Sequence, residues 1–296
     1  MGTTGPGTWN RSIVAAVRMN IRMNTLKTGI LMAAVGALAV GIGAAFFGLN
    51  GALIGLAIAL VFQAVALFAG HKMALASAHA VELAPDQLPW LHEAANRLAQ
   101  RAGIPTPKLY ISPDPQPNAF AAGRNPEVAV VCINEGLIKV MPQEEVIAVL
   151  AHEFGHIKNR DMLTMTITAA MVTFINVLAY AAYFIPMGGD SRRGNPLVQL
   201  AIMILAPITA TMIQLAISRQ REFAADRMAA ELVGTPRPMI EALQTLETAT
   251  NRIESRTAQP AMAHMYIANP FGGGSSLFQT HPSVEQRIAA LRKLAA

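Results

Sequence analysis

The stretch HEFGH at residues 152–156 places two histidines four positions apart. On a helix, His152 and His156 lie one turn apart on the same face, where both imidazoles can reach one cation. Glu153 lies beside the same turn but off the ligand line, where its carboxylate could take a proton from a water molecule. The spacing predicts a zinc-binding helix of the zincin type, and three β-rich runs earlier in the chain predict a small sheet, which together make a zincin-type α+β domain. The alternative is a surface helix with solvated histidines.

A catalytic zinc ion takes three protein ligands and leaves a fourth position for water. One extended form of the motif would need glycine at position 159 and histidine at position 162, but the chain has Asn159 and Met162 there. The best remaining candidate is Glu222 in the stretch SRQREFAAD. Asp226, one helical turn later, could accept a hydrogen bond from a histidine ligand. The alternative for both acids is a solvated helix paired with neighbouring arginines.

The composition is that of a membrane protein. Hydrophobic residues make up 53% of the chain and charged residues 14%, whereas soluble domains carry roughly 25% charged residues. The net charge is +5, but the basic residues are scattered and form no stripe with aromatics, which argues against nucleic acid as a partner. Cys132 is the only cysteine, which excludes an intramolecular disulfide and a cysteine-based zinc cluster.

Four uncharged runs are long enough to cross a bilayer, which takes about 20 helical residues. Runs 28–49 and 51–70 predict a hairpin that turns around Asn50, and runs 162–185 and 196–217 predict a second pair joined by a polar loop at 186–195. Two alternatives remain, namely a buried soluble hairpin for the first pair and a re-entrant roof for the second. The predicted fold is mostly α-helical, with about four transmembrane helices.

The predicted spans divide the chain into five parts. These are a cytoplasmic segment at 1–27, a transmembrane hairpin at 28–70, the first part of the catalytic domain at 71–161, a second transmembrane pair at 162–217 and the second part of the domain at 218–296. Within the first part we expect a helix at 86–102 and three strands in 108–112, 118–123 and 127–134. Basic residues border the predicted spans on the side of the membrane where both termini lie. The positive-inside rule makes that side cytoplasmic, although Arg192 and Arg193 in the opposite loop argue against this orientation.

The candidate ligands lie at matching distances from the apolar runs. His156 is six residues before Met162, where the third run begins, and Glu222 is five residues after Ile217, where the fourth ends. At roughly 1.5 Å per helical residue, both lie about 8–9 Å beyond the apolar segments. Two antiparallel spans would therefore hold the metal site just above the membrane.

Four pieces of sequence in this order, NAFAAG, HEFGHIKNRD, SRQREFAAD and THPS, resemble the HtpX-like membrane zinc metalloproteases. These proteases are related more distantly to the CAAX prenyl endopeptidases. The resemblance implies a quality-control endopeptidase of the bacterial inner membrane that cuts misfolded or membrane proteins. It also implies one Zn²⁺ per chain and an active site that faces the cytoplasm.

The resemblance extends to residues around the site. It implies that Asn118, Ala119 and Phe120 form an edge strand to which a peptide substrate adds by backbone hydrogen bonds; the alternative is an internal strand with Phe120 in the core. His281, in THPS, could donate to the oxyanion or cap a helix over 283–294. Arg287, on that helix, could order the site through the Glu222 helix.

The expected reaction is zinc-assisted peptide hydrolysis with Glu153 as the base. A prenyl-protein endopeptidase is the first alternative, but four spans are few for a chamber that holds a lipidated substrate. A non-enzymatic membrane scaffold with structural zinc is the second. Glu153 discriminates against the scaffold, since a structural site has no use for a free carboxylate. A homo-oligomer is compatible with the sequence.

Overall fold

The computed structural model describes residues 11–181, 219–271 and 282–295. The helices are α1 (Arg11–Ser77), α2 (Pro89–Ala102), α3 (Glu135–Val140), α4 (Gln143–Asn159), α5 (Asp161–Ala181), α6 (Arg219–Val233), α7 (Arg237–Thr250) and α8 (Val284–Ala295). The strands are β1 (Val81–Glu82), β2 (Lys108–Ser112), β3 (Ala119–Ala122) and β4 (Val130–Asn134). The predicted fourth span, the 186–195 loop and His281 lie outside the described residues.

Helix α1 is an apolar hairpin whose two arms meet at Phe47 and Gly48, the two residues with non-helical backbone angles. Gly48 has φ of 60°, in the left-handed region that glycine adopts without steric penalty. A Cβ atom on Gly43 would overlap the carbonyl oxygen of Gly51, so the arms pack backbone against backbone. The prediction of a turn around Asn50 was therefore wrong by two to three residues, because Gly48 supplies the required conformation.

Two lengths of α1, Arg22–Ala44 and Phe47–Ser77, are long and apolar enough to cross a membrane. Helix α1 runs from Arg11 to Ser77 and so extends beyond the predicted span boundaries at residues 27 and 70. Polar Asn24 and Thr28 are accommodated in the first arm because they are buried against protein. The predicted division of the chain at residues 27 and 70 stays a prediction.

Helix α5 packs along both arms of this hairpin. Its Ile167, Ala170 and Met171 are buried with Leu31 and Val35 of the first arm. Within the described ranges, α5 has a shorter apolar segment, Asp161–Asn176, than the two candidate spans. A mostly helical fold with two apolar helices and a small sheet is confirmed, and the second transmembrane pair stays a prediction.

The sheet has the strand order β1-β2-β4-β3, with β2 and β4 parallel and the other pairs antiparallel. Strand β1, only two residues long, was not predicted. Strand β3 is at one edge. Its Ala119 and Ala121 face the core formed with α2 and α4, whereas Phe120 and Ala122 pack against residues 262–266 on the other face. Both faces of this edge strand are therefore buried.

The close contact of α4 and α6 brings the two halves of the candidate site together. A Cβ atom on Gly155 would lie 3.0 Å from the Cα atom of Ala225 and 3.2 Å from the Cβ atom of Met228. Such a separation leaves no room for a side chain between the helices without some movement. Gly155, inside HEFGH, therefore allows α6 to approach the histidine face of α4.

Candidate metal centre

The two histidines and the glutamate of HEFGH lie in the last turns of α4. Glu144 and Glu145 in the first turn complement the positive end of the helix dipole, and Arg160 ends the helix in a left-handed conformation. His152 is 0% exposed, Glu153 1% and His156 4%. Helix α4 thus holds all three side chains inside the protein.

Glu222 in the first turn of α6 completes a group of three candidate ligands. Its carboxylate oxygens lie 3.7 Å from Nε2 of His152 and 3.6 Å from Nε2 of His156. The two Nε2 atoms are 3.1 Å apart. Within the described part of the chain, these three residues form the group whose donor atoms could share one metal ion.

Each histidine ring is held by a carboxylate on its other side. Asp226 places Oδ1 2.9 Å from Nδ1 of His152, and Asp161 places Oδ2 3.1 Å from Nδ1 of His156. A carboxylate only accepts hydrogen bonds, so both Nδ1 atoms carry a proton, and each Nε2 atom presents a lone pair when its ring is neutral. Arg287 Nη2 is 3.4 Å from the same Nδ1 of His152, but its closer partner is Asp226.

The facing Nε2 atoms show that the donor set fits a metal. The two atoms face each other across 3.1 Å, a separation that either a shared proton or a shared cation can bridge. Nitrogens that share a tetrahedral zinc at 2.0–2.1 Å lie roughly 3.3 Å apart. With the Glu222 carboxylate at a similar distance, the site matches a zinc centre of two imidazoles and one carboxylate.

The two histidines have opposite pKa shifts. Burial lowers the pKa of His152 to about 4, against the hydrogen bond to Asp226. Burial would also lower the pKa of His156, but the hydrogen bond to Asp161 and the charge of Glu222 outweigh burial and raise this pKa to about 9. Before a metal binds, the pair therefore carries one further proton at neutral pH, on Nε2 of His156, and the metal must displace it.

Asp226 is bound in turn by Arg287 of α8. Nη2 of Arg287 lies 2.6 Å from Oδ1 and its Nε lies 2.8 Å from Oδ2, which is the two-pronged geometry of strong arginine–carboxylate pairs. Burial alone would raise the pKa of Asp226, but the charge and hydrogen bonds of Arg287 lower it. Asp226 is therefore ionised when it orients His152.

We expect Arg287→Met to destabilise the protein strongly, because it leaves Asp226 as a buried charge without its arginine. Breaking a buried ion pair on one side typically costs about 3–5 kcal/mol. Thermal unfolding of the detergent-solubilised, zinc-free protein measures the effect. The control is Arg227→Met, which removes an exposed pair with Glu231 and should change stability little. Equal unfolding temperatures for the two variants would contradict the expectation.

Glu153 lies between the ligand group and strand β3. It accepts a hydrogen bond from the backbone N–H of Ala121, and burial, with the nearby charge of Glu222, raises its pKa to about 7. A carboxylate whose pKa is close to the working pH can both take up and give back a proton. Its position and pKa suit a general base.

The predicted substrate strand is at the edge of the sheet, but its residues contact the protein's own chain. Phe120 is 0% exposed and meets the Tyr266 ring edge to face, so it belongs to the core and not to an open edge. Asn118 donates to the carbonyl of Ala268 at 2.9 Å, and the N–H of Ile267 donates to the carbonyl of Ala119 at 3.3 Å. Residues 266–268 therefore run beside β3.

Asp161 is the site residue that the sequence did not point to. It is 0% exposed and follows the second histidine by five positions, just beyond the left-handed Arg160. The signal was present in the stretch HEFGHIKNRD, where an acid closely follows the motif. His281 lies outside the described residues, and its predicted role stays a prediction.

Comparison with known proteins agrees with this geometry. Residues 85–295 match the model of Peptidase family M48. The chain belongs to this family.

Curated relatives of this M48 protein are named Protease HtpX homolog. The protein from Nostoc sp. is 46% identical over 235 residues, which cover 77% of this chain and 81% of the relative. That from Sulfurihydrogenibium sp. is 42% identical over 241 residues, with 77% and 81% covered, and that from Campylobacter curvus is 43% identical over 234 residues, with 77% and 82% covered. The predicted family is confirmed.

A solved structure shares the fold. The crystal structure of S. mikatae Ste24p matches with a TM-score of 0.51 and 19% identity, covering 94% of this chain and 67% of that one. Together with the two apolar helices of α1, these comparisons support a membrane metalloprotease of family M48.

Proposed function

We propose that this M48 protein is a zinc-dependent endopeptidase of the bacterial inner membrane that cuts misfolded or membrane proteins. The observation that carries the proposal is the convergence of two Nε2 atoms, 3.1 Å apart, and one carboxylate beside a buried glutamate that is not part of the ligand group. A structural zinc site has no need of such a glutamate. This argues against a non-enzymatic scaffold.

His152, His156 and Glu222 would hold one Zn²⁺ per chain. When bound, the ion polarises the carbonyl of the peptide bond and lowers the pKa of the attacking water. Glu153 takes the proton of that water and delivers it to the leaving amine. Asp226 and Asp161 keep the imidazole rings in the tautomer that faces the ligand position.

We further propose that the peptide backbone pairs with the outer edge of β3. Asn134 donates to the carbonyl of Asn118, so the groups of Ala119 and Ala121 point to the other side, away from β4. The N–H of Ile267 already occupies the carbonyl of Ala119, and Glu153 occupies the N–H of Ala121. A substrate that adds to this edge has to replace both contacts.

Side chains of the loop before β3 anchor residues 253–270, the segment that covers the outer edge of this strand. Asp114 accepts hydrogen bonds from Ser255 and Thr257, and Gln116 donates to the carbonyls of Ile253 and Pro270. With Asn118, these side chains alternate along the loop before β3. They hold residues 253–270 beside β3, and Arg287 Nη1 also donates to the carbonyl of Ile267 at 3.2 Å, so release of 266–268 has to break that contact as well.

The orientation follows from the charges that flank the predicted spans. Basic residues at the start of α1 and after the predicted fourth span favour a cytoplasmic site. A prenyl-protein endopeptidase is the rival enzyme. Equal cleavage of a prenylated peptide and its unmodified counterpart would argue against that rival.

Zinc removal tests the proposal directly. We expect the purified protein in detergent to carry one zinc per chain, to cut an unfolded protein substrate, and to stop when a chelator removes the metal. Added zinc should restore cleavage, because the three ligands need only be deprotonated to bind again. The control is the same chelator saturated with zinc beforehand. Full proteolysis by protein without zinc would refute the metalloprotease mechanism.

A further inference from the structure

A polar side chain of the first membrane arm reaches the metal site. Asn24 is 4% exposed, and its Nδ2 donates to Oδ1 of Asp161 at 2.7 Å. The other oxygen of the same carboxylate lies 3.1 Å from Nδ1 of His156. One continuous set of hydrogen bonds therefore joins α1, the first residue of α5 and a candidate ligand on α4.

The same asparagine contacts the helix of the third ligand. Nη1 of Arg221 donates to Oδ1 of Asn24 at 3.3 Å, and Arg221 directly precedes Glu222. The amide thus donates on one side and accepts on the other, a combination that neither an aspartate nor an aliphatic side chain can supply. Asn24 therefore contacts both Asp161, which faces His156, and the helix that carries Glu222.

We propose that Asn24 is a positioning residue of the metal centre, which ties the membrane anchor to His156 through Asp161. The proposal rests on the zinc site described under Proposed function. Asp161 is 0% exposed, and Asn24 fixes the carboxylate oxygen that does not face the histidine. Without that donor the carboxylate can rotate, and it no longer holds the imidazole in one orientation. Loss of such an outer partner typically lowers metal affinity by about 10–100-fold.

A neighbouring residue on the same helix face provides a matched control. Thr28, one turn later, is also buried, and its hydroxyl contacts that of Thr164 at 3.1 Å. It touches the same α1–α5 interface but has no hydrogen bond to Asp161 among those described. Thr28→Val keeps the shape of the side chain but removes its hydroxyl, so it breaks a polar contact between the anchor and α5 and leaves the histidine contact in place.

The experiment compares zinc affinity across full-length variants in detergent, measured by competition with a chromophoric chelator. The variants are Asn24→Leu, Asn24→Ala, Thr28→Val, Asp161→Ala and the double variant Asn24→Leu/Asp161→Ala. Leucine has the same number of side-chain heavy atoms and the same branching as asparagine and suits a membrane helix, so Asn24→Leu is the variant expected to fold. We expect it to lower zinc affinity about 10–100-fold, and Thr28→Val to leave affinity close to that of the wild type.

The double variant separates positioning from a general effect on folding. If Asn24 acts through Asp161, Asn24→Leu should cause no further loss once Asp161 is alanine, because neighbours that act as a unit are not additive. The visible spectrum of the cobalt-substituted protein should also change in Asn24→Leu and not in Thr28→Val. Wild-type affinity in both Asn24 variants, or equal losses with and without Asp161, would overturn the proposal. A wild-type chain that binds no zinc would instead overturn the proposed function itself.

Discussion

Glu153→Gln is expected to retain zinc and lose at least about 100-fold in turnover, the lower limit typical of general acid–base catalysis. Glutamine has nearly the same volume and can still contact Ala121, but its amide cannot take a proton from water. All three candidate ligands remain in place. The measurements are kcat on an unfolded substrate and zinc content of the same sample.

Glu145→Gln is the matched control for this change. Glu145 lies on the same helix, is also buried at 9% exposure, and is outside the ligand group. It should retain both zinc and turnover. Proteolysis by Glu153→Gln at the wild-type rate would rule out Glu153 as the base, even with the metal site intact.

Glu222→Ala is expected to lose zinc and activity together, because it removes one of three protein donors from the ion. The fall in zinc affinity should exceed the roughly 10–100-fold typical of changes in the outer shell. Glu231→Ala, on the same helix but partly exposed and paired with Arg227, should leave zinc binding unchanged.

Metal content at a fixed nanomolar concentration of free zinc distinguishes ligand from base. At a concentration of free zinc at which Glu153→Gln contains zinc, Glu222→Ala should contain none, although both variants are inactive. If Glu222→Ala is loaded as well, the third donor lies elsewhere, with Asp226 or His281 as the next candidates.

The sequence predicted the ligand face of α4 well, because four-residue spacing on a helix has one geometric outcome. Asp161 was missed for the opposite reason. It follows the left-handed Arg160, where helical periodicity stops, so its distance along the chain does not indicate its direction. Asn24 was missed because a single polar residue before an apolar run contains no information about a partner that lies 137 positions away.

The strand predictions had a different weakness. Alternation along β3 puts Phe120 and Ala122 on one face, but it does not reveal that residues 262–266 cover that face. Such coverage depends on contacts between segments far apart in sequence. The turn of the hairpin was displaced for a local reason, since both Gly48 and Asn50 tolerate a turn and the structure uses Gly48.

The ion pair of Asp226 with Arg287 also bears on synthesis of the protein. Chains are made at roughly 5–20 residues per second, so Arg287 emerges on the order of ten seconds or less after Glu222. During that interval His152, His156 and Glu222 are present, but Asp226 lacks the arginine that compensates its charge. Asp226 therefore acquires its compensating charge only after α8 has been synthesised and has docked.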